Sequence, residues 1–108
     1  MRKKVLVVDN NPLILELMTD LLEKKGHEVL AVKDGLSALK SLETYIPDVI
    51  FVDLIMPNIG GKKLCQIIRA MPDVKDAYIA ILSAIAAEEE ASSAVANKVF
   101  FIISFLQK

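Results

Sequence analysis

With 108 residues, the chain has room for one compact domain but not for two of ordinary size. An apolar content of 54% argues against a largely disordered chain, and 13 basic against 14 acidic residues, a formal net charge of −1, leave no basic stripe for binding nucleic acid directly. The single cysteine, Cys65, rules out an intramolecular disulfide and a CxxC metal or redox site, and fits a reducing compartment.

Met1-Arg2-Lys3-Lys4 runs straight into Val5-Leu6-Val7-Val8-Asp9, too soon for a signal-peptide core and cleavage site. No apolar run approaches the roughly 20 residues that cross a bilayer. A cytoplasmic protein without a membrane span is expected.

The run from Val5 to Val8 reads as a strand covered on both faces, and Asp9-Asn10-Asn11-Pro12 supplies the turn, cap and first-turn residues of a helix beginning near Pro12. Leu13, Leu17 and Leu21 recur beside Ile14, Met18 and Leu22 as one wide apolar stripe, and Lys24-Lys25-Gly26 ends that helix. A second strand is expected from Glu28 to Val32. Asp34-Gly35 makes a turn into a helix through Leu36, Leu39 and Leu42 that must end before Pro47.

Val49 to Val52 is the third strand, fully buried, and residues 53 to 61 form a loop. A helix then turns Leu64, Ile67 and Ile68 inward until Pro72, and Tyr78 to Leu82 is a fourth strand ending at Ser83. Ala84 to Asn97 is helical by propensity, with a weak apolar face. β-branched and aromatic residues dominate from 99 to 106, which reads as an edge strand, an extension of the preceding helix, or an apolar segment that docks on another molecule. Strands alternating with helices define an α/β class with a mostly parallel sheet.

In such sheets ligands bind beyond the carboxyl ends of the strands. Asp9 follows the first strand, Asp53 the third and Ser83 the fourth, so the three are expected to converge. Two carboxylates held together attract a hard divalent cation, and oxygens from Asp9, Asp53, Asn10 and a loop carbonyl suit magnesium. A carboxylate is also a nucleophile toward phosphorus, which makes Asp53 the acceptor candidate. The pattern alone leaves a second reading open, in which Asp9 and Asp53 only cap helices or begin turns.

On these residues the sequence resembles the receiver domain of bacterial two-component response regulators. Val7-Val8-Asp9-Asn10-Asn11-Pro12 looks like the family's acidic pocket, Val52-Asp53-Leu54-Ile55-Met56-Pro57 through Gly61 like its phosphoacceptor loop, and Leu82-Ser83-Ala84 like its hydroxyl residue after strand four. The resemblance covers about residues 3 to 87. It implies a flavodoxin-like, doubly wound, parallel five-stranded sheet of order 2-1-3-4-5. It also implies phosphorylation of Asp53 by a histidine kinase or phosphotransfer protein, magnesium held by Asp9, Asn10, Asp53 and the Ile55 carbonyl, and a hydrogen bond from Ser83 to the phosphoryl group.

Three departures stand out. Asn10 replaces a second carboxylate, no lysine ends the expected fifth strand (Lys98 sits at its wrong end), and a final helix is not found before Lys108. The expectation is a single receiver domain over residues 1–108, atypical after about residue 87, that acts on a downstream protein and dimerises through its C-terminal apolar segment. The alternative is a degenerate receiver serving as a phosphorylation-independent interaction or dimerisation module. A magnesium-dependent phosphatase of the same chemistry is disfavoured, because Ile55 stands where a second acid is needed. His27 is read as a surface residue and Cys65 as a small helix residue. Glu88-Glu89-Glu90 is read as a solvated charge run, and Met18, Met56 and Met71 as packing or loop residues rather than a thioether ligand set.

Overall fold

The computed structural model describes residues 2–82. Seven elements follow in order: β1 (Lys4–Val8), α1 (Pro12–Lys24), β2 (Glu28–Val32), α2 (Gly35–Ser41), β3 (Val49–Val52), α3 (Gly61–Arg69) and β4 (Tyr78–Ile81). All strand pairs are parallel and the order is β2-β1-β3-β4, the first four strands of the expected flavodoxin-like sheet. Ser83, the helix expected from 84 to 97, the segment from 99 to 106 and the expected final-helix region lie outside the described residues.

Side chains alternate between the two faces of a pleated strand, and here each face carries its own apolar core. Val5, Val7, Phe51, Ala80 and Leu82 pack with Ile14, Met18 and Leu22 of α1. Leu6, Val8, Ile50 and Val52 face the other way, against Ala38 and Leu42 from the α2 region and Leu64 and Ile68 of α3. Among the described residues one helix therefore packs on one face and two on the other. Each fully buried Leu, Ile or Met contributes about 1.5–3 kcal/mol, so three such residues on α1 suffice to fasten it to the sheet.

Local chemistry sets the element ends. The Asn11 side chain accepts the Leu13 N–H at 2.9 Å and Pro12 occupies the first helical turn of α1, which fixes where β1 gives way to helix. At the other end Gly26 adopts φ +90, the left-handed conformation that a side chain disfavours, and its N–H donates to Glu23 O. The Asp34 carboxylate accepts the Ser37 N–H at 2.7 Å and starts α2, so Gly35 is the first helical residue rather than the second residue of a turn.

The apolar stripe of α1 is narrower than its sequence suggests. Ile14, Met18 and Leu22 are wholly buried, while Leu13 and Leu17 are 49% and 36% exposed. Adjacent residues on a helix point about 100° apart, so a single sheet face engages one of the two rows directly. Similarly, Leu64 and Ile68 are buried on α3 whereas Ile67 is only partly so, and Val49 at the start of β3 is half-buried.

Candidate functional site

The two acids sit on adjacent rungs of the sheet. Val8 of β1 pairs with Val52 of β3, and the ladder runs on for one more bond, from Asp53 N–H to Val8 O at 2.9 Å. Asp9 and Asp53 are the next residues on strands that lie about 4.8 Å apart, which brings two carboxylates from opposite halves of the described chain to the same place. On the far side of β1, the Asp9 N–H donates to Val32 O of β2 at 3.2 Å, so the ladder also holds Asp9.

Both acids are buried, Asp9 completely and Asp53 to 5% exposure. They share a local design. Asp9 Oδ1 accepts the Asn11 N–H at 2.9 Å and Asp53 Oδ1 accepts the Ile55 N–H at 3.2 Å, so each carboxylate is oriented by the backbone two residues on. These contacts agree with the turn-forming reading of the two aspartates. They do not account for the burial of both acids on neighbouring strand ends, a position that disfavours two carboxylates of like charge.

The remaining predicted site residues surround this pair unequally. Asn10 is exposed and directly follows Asp9. Ile55 belongs to the loop after β3, with its N–H on Asp53 and its side chain 74% exposed. Ser83 lies outside the described residues, although Leu82 just before it is tied to β3 by its N–H to Val52 O at 2.9 Å. Met56 turns back from the same loop into the core beneath α2 and α3, an anchor that gives the loop its shape. Asn58 takes the left-handed backbone at φ 67, and the Gly61 N–H closes the loop onto Leu54 O at 2.9 Å.

Among the described residues no group of three His, Cys, Asp or Glu side chains is placed to hold a metal ion. A cation at this pair would therefore draw on two carboxylates and neutral oxygens, a hard donor set that suits magnesium and is unsuited to softer metals. A cavity of about 610 Å³ beside α3 is lined by Leu54, Lys62, Cys65, Gln66, Arg69 and Ile81, and includes neither acid. Burial pushes the Cys65 thiol up, and Arg69 pulls the other way.

Gly61, read from the sequence only as the end of the loop that resembles the family's phosphoacceptor loop, makes a close approach that the sequence reading did not single out. A Cβ at that position would stand 2.4 Å from Asp53 O, because the first turn of α3 rests on the backbone of Asp53 and Leu54. The adjacent pair Gly60-Gly61 at a helix start was the available signal.

Comparison with known proteins agrees with the geometry. The response regulator receiver domain profile matches residues 5–105. The alkaline phosphatase synthesis transcriptional regulatory protein PhoP of Bacillus subtilis is 41% identical over 69 residues, 64% of this chain and 29% of PhoP. This chain thus spans about three-tenths of the length of the curated relatives it matches first. Among solved structures, the chemotaxis response regulator CheY4 of Vibrio cholerae superposes with a TM-score of 0.72 at 30% identity, covering 75% of this chain and 68% of that one. The response regulator TrrA of Thermotoga maritima, solved in complex with Mg(2+)-BeF, gives a TM-score of 0.64 at 34% identity, covering 73% and 65%.

Proposed function

Because the chain belongs to the response regulator receiver domain family, we propose that it is a phosphorylation switch in which Asp53 accepts a phosphoryl group beside Asp9. The observation that carries this reading is the pair itself: two buried carboxylates on neighbouring strand ends, each oriented by a backbone N–H. Such an arrangement costs stability, and its retention at the carboxyl edge of a parallel sheet fits a site for cation and phosphate.

In the transfer step one Asp53 oxygen forms a bond to phosphorus as the bond from phosphorus to the donor nitrogen breaks, and that nitrogen keeps the electron pair. The donor is a histidine kinase or a histidine phosphotransfer protein. Asp9 and Asp53 carboxylates, with neutral oxygens from Asn10 and the Ile55 carbonyl, would hold magnesium, which when bound offsets the charge on the transferring phosphoryl oxygens. TrrA was solved with magnesium and beryllium fluoride together, which supports the same pairing here. The Ile55 N–H keeps Asp53 Oδ1 directed into the loop, and the Ser83 hydroxyl donates to the phosphoryl group.

Asn10 tunes this site. Ligand charge count sets the affinity of hard cations, and a neutral amide in place of a carboxylate lowers that affinity while keeping an oxygen donor. The aspartyl phosphate adds about −1.5 to −2 of charge and three acceptors, by analogy with other phospho-residues, which Ser83 transmits to β4 and then to a partner protein in the cytoplasm.

Incubation of the chain with acetyl phosphate and magnesium, read by intact mass, tests the proposal. One added phosphoryl group in the wild type and none in Asp53→Asn is expected. An unmodified wild type would instead favour the interaction-module reading, which Asn10 and the missing lysine support.

A further inference from the structure

We propose that Gly61 is a positioning residue for Asp53: its missing side chain lets the first turn of α3 seat directly on the acceptor's backbone. The inference deepens the acceptor reading and rests on it. An ideal Cβ at 61 would stand 2.4 Å from Asp53 O, 2.6 Å from Leu54 Cα and 3.0 Å from the Asp53 carbonyl carbon. All three are backbone atoms, so no rotamer change relieves the overlap. Gly61 does not adopt a positive φ and lies within the helix, so backbone freedom does not explain the glycine. Helix propensity favours alanine there. Contact is what remains.

The neighbouring glycine provides the internal control. A Cβ on Gly60 would meet only Leu54 O, at an ordinary 3.5 Å. The same loop thus contains two consecutive glycines, of which one is replaceable on steric grounds and the other is not. The Gly61 N–H also donates to Leu54 O at 2.9 Å, which pins the far side of the residue that follows the acceptor. Asp53 Oδ1 is in turn held by the Ile55 N–H at 3.2 Å. Residues 53 to 55 are therefore clamped between the β1 ladder on one side and α3 on the other, and a shift forced by a side chain at 61 is passed to the carboxylate.

Phosphoryl uptake from acetyl phosphate in magnesium, followed by intact mass over a range of donor concentrations, separates the maximal rate from the half-saturating donor concentration. Misplacing a reacting group by about 1 Å costs up to about a hundredfold in rate. The expected result is a maximal rate lowered at least about tenfold in Gly61→Ala, with half-saturation changed less than about twofold, while Gly60→Ala stays within about twofold in both. Ile68→Val, which removes a buried methyl group from α3 packing away from the acceptor, serves as a destabilised control and is expected to keep the wild-type rate.

If Gly61→Ala does not fold, the wild type still decides. In ¹⁵N spectra, beryllium fluoride is expected to shift the Gly61 amide together with that of Asp53, and an unmoved Gly61 amide overturns the proposal. Equal maximal rates in Gly61→Ala and wild type overturn it alone. A wild type that takes up no phosphoryl group overturns it together with the acceptor reading.

Discussion

The two edges of one sheet treat their acids in opposite ways. At the amino ends of the strands Asp48 is exposed and its Oδ2 accepts the Lys4 N–H at 2.8 Å, Arg2 pairs with Glu28 at 3.3 Å, and the Lys4 ammonium stands 5.7 Å from the centre of the Tyr45 ring. Here the charges find separate partners (a backbone N–H, an aromatic ring and one exposed salt bridge) and stay in water, where a salt bridge is worth about 1 kcal/mol or less. At the carboxyl ends Asp9 and Asp53 are both buried, on neighbouring strands. The amino edge leaves its charges in water, whereas the carboxyl edge buries two acids on neighbouring strand ends, and under the proposed function a cation would draw on that second arrangement.

Cation addition sharpens the comparison most. If the carboxyl edge is the cation site, magnesium at a hundred times its dissociation constant stabilises the fold by about 2.7 kcal/mol, a shift on the order of 10 °C in Tm for a chain of this size. Asp9→Asn is expected to abolish the shift, and Asn10→Asp to move its midpoint to lower magnesium concentration. Asp48→Asn at the opposite edge should leave it unchanged. Thermal unfolding across a magnesium titration reads all four proteins, and an equal shift in wild type and Asp9→Asn would break the contrast.

A smaller effect tests the amino edge. The Tyr45 hydroxyl donates to the Val5 and Glu28 carbonyls at 3.4 and 3.5 Å, and burial, with the nearby Glu28 and Asp48 charges, pushes its pKa up to about 12. The unfolded chain gives up this proton near pH 10 and the folded chain only near 12, so Tyr45 contributes stability below pH 10 that is lost as pH rises through that window. Denaturant unfolding of wild type between pH 9 and 12 should show this loss, and Tyr45→Phe should flatten it. A steep loss that persists in the variant would assign it to other groups.

The strands were legible because a parallel sheet buried on both faces writes itself as short β-branched runs. Val5–Val8 (one residue short of β1), Glu28–Val32 and Val49–Val52 were all visible as short apolar runs, and Asn11-Pro12 and Lys24-Lys25-Gly26 marked both ends of α1. Placing one acid after each of two such runs made the approach of Asp9 and Asp53 predictable from the strand-end rule for parallel sheets, while the strand order 2-1-3-4-5 came from family resemblance. Less visible was which row of α1 leucines would be buried, since two adjacent rows are equally apolar and only the docking angle on the sheet chooses Ile14, Met18 and Leu22. Gly61 was hidden for a related reason. A residue required for a close backbone approach between distant segments leaves no periodicity, only an absent side chain.

The arrangement of Asp9 and Asp53 as one site for a cation is tested most directly by the anomalous scattering of manganese soaked into crystals of the chain. A peak bonded to oxygens of both carboxylates, at about 2.1–2.2 Å as for other small hard divalent ions, is the predicted outcome. Manganese that binds elsewhere, or that touches one carboxylate while the other faces away, would contradict it.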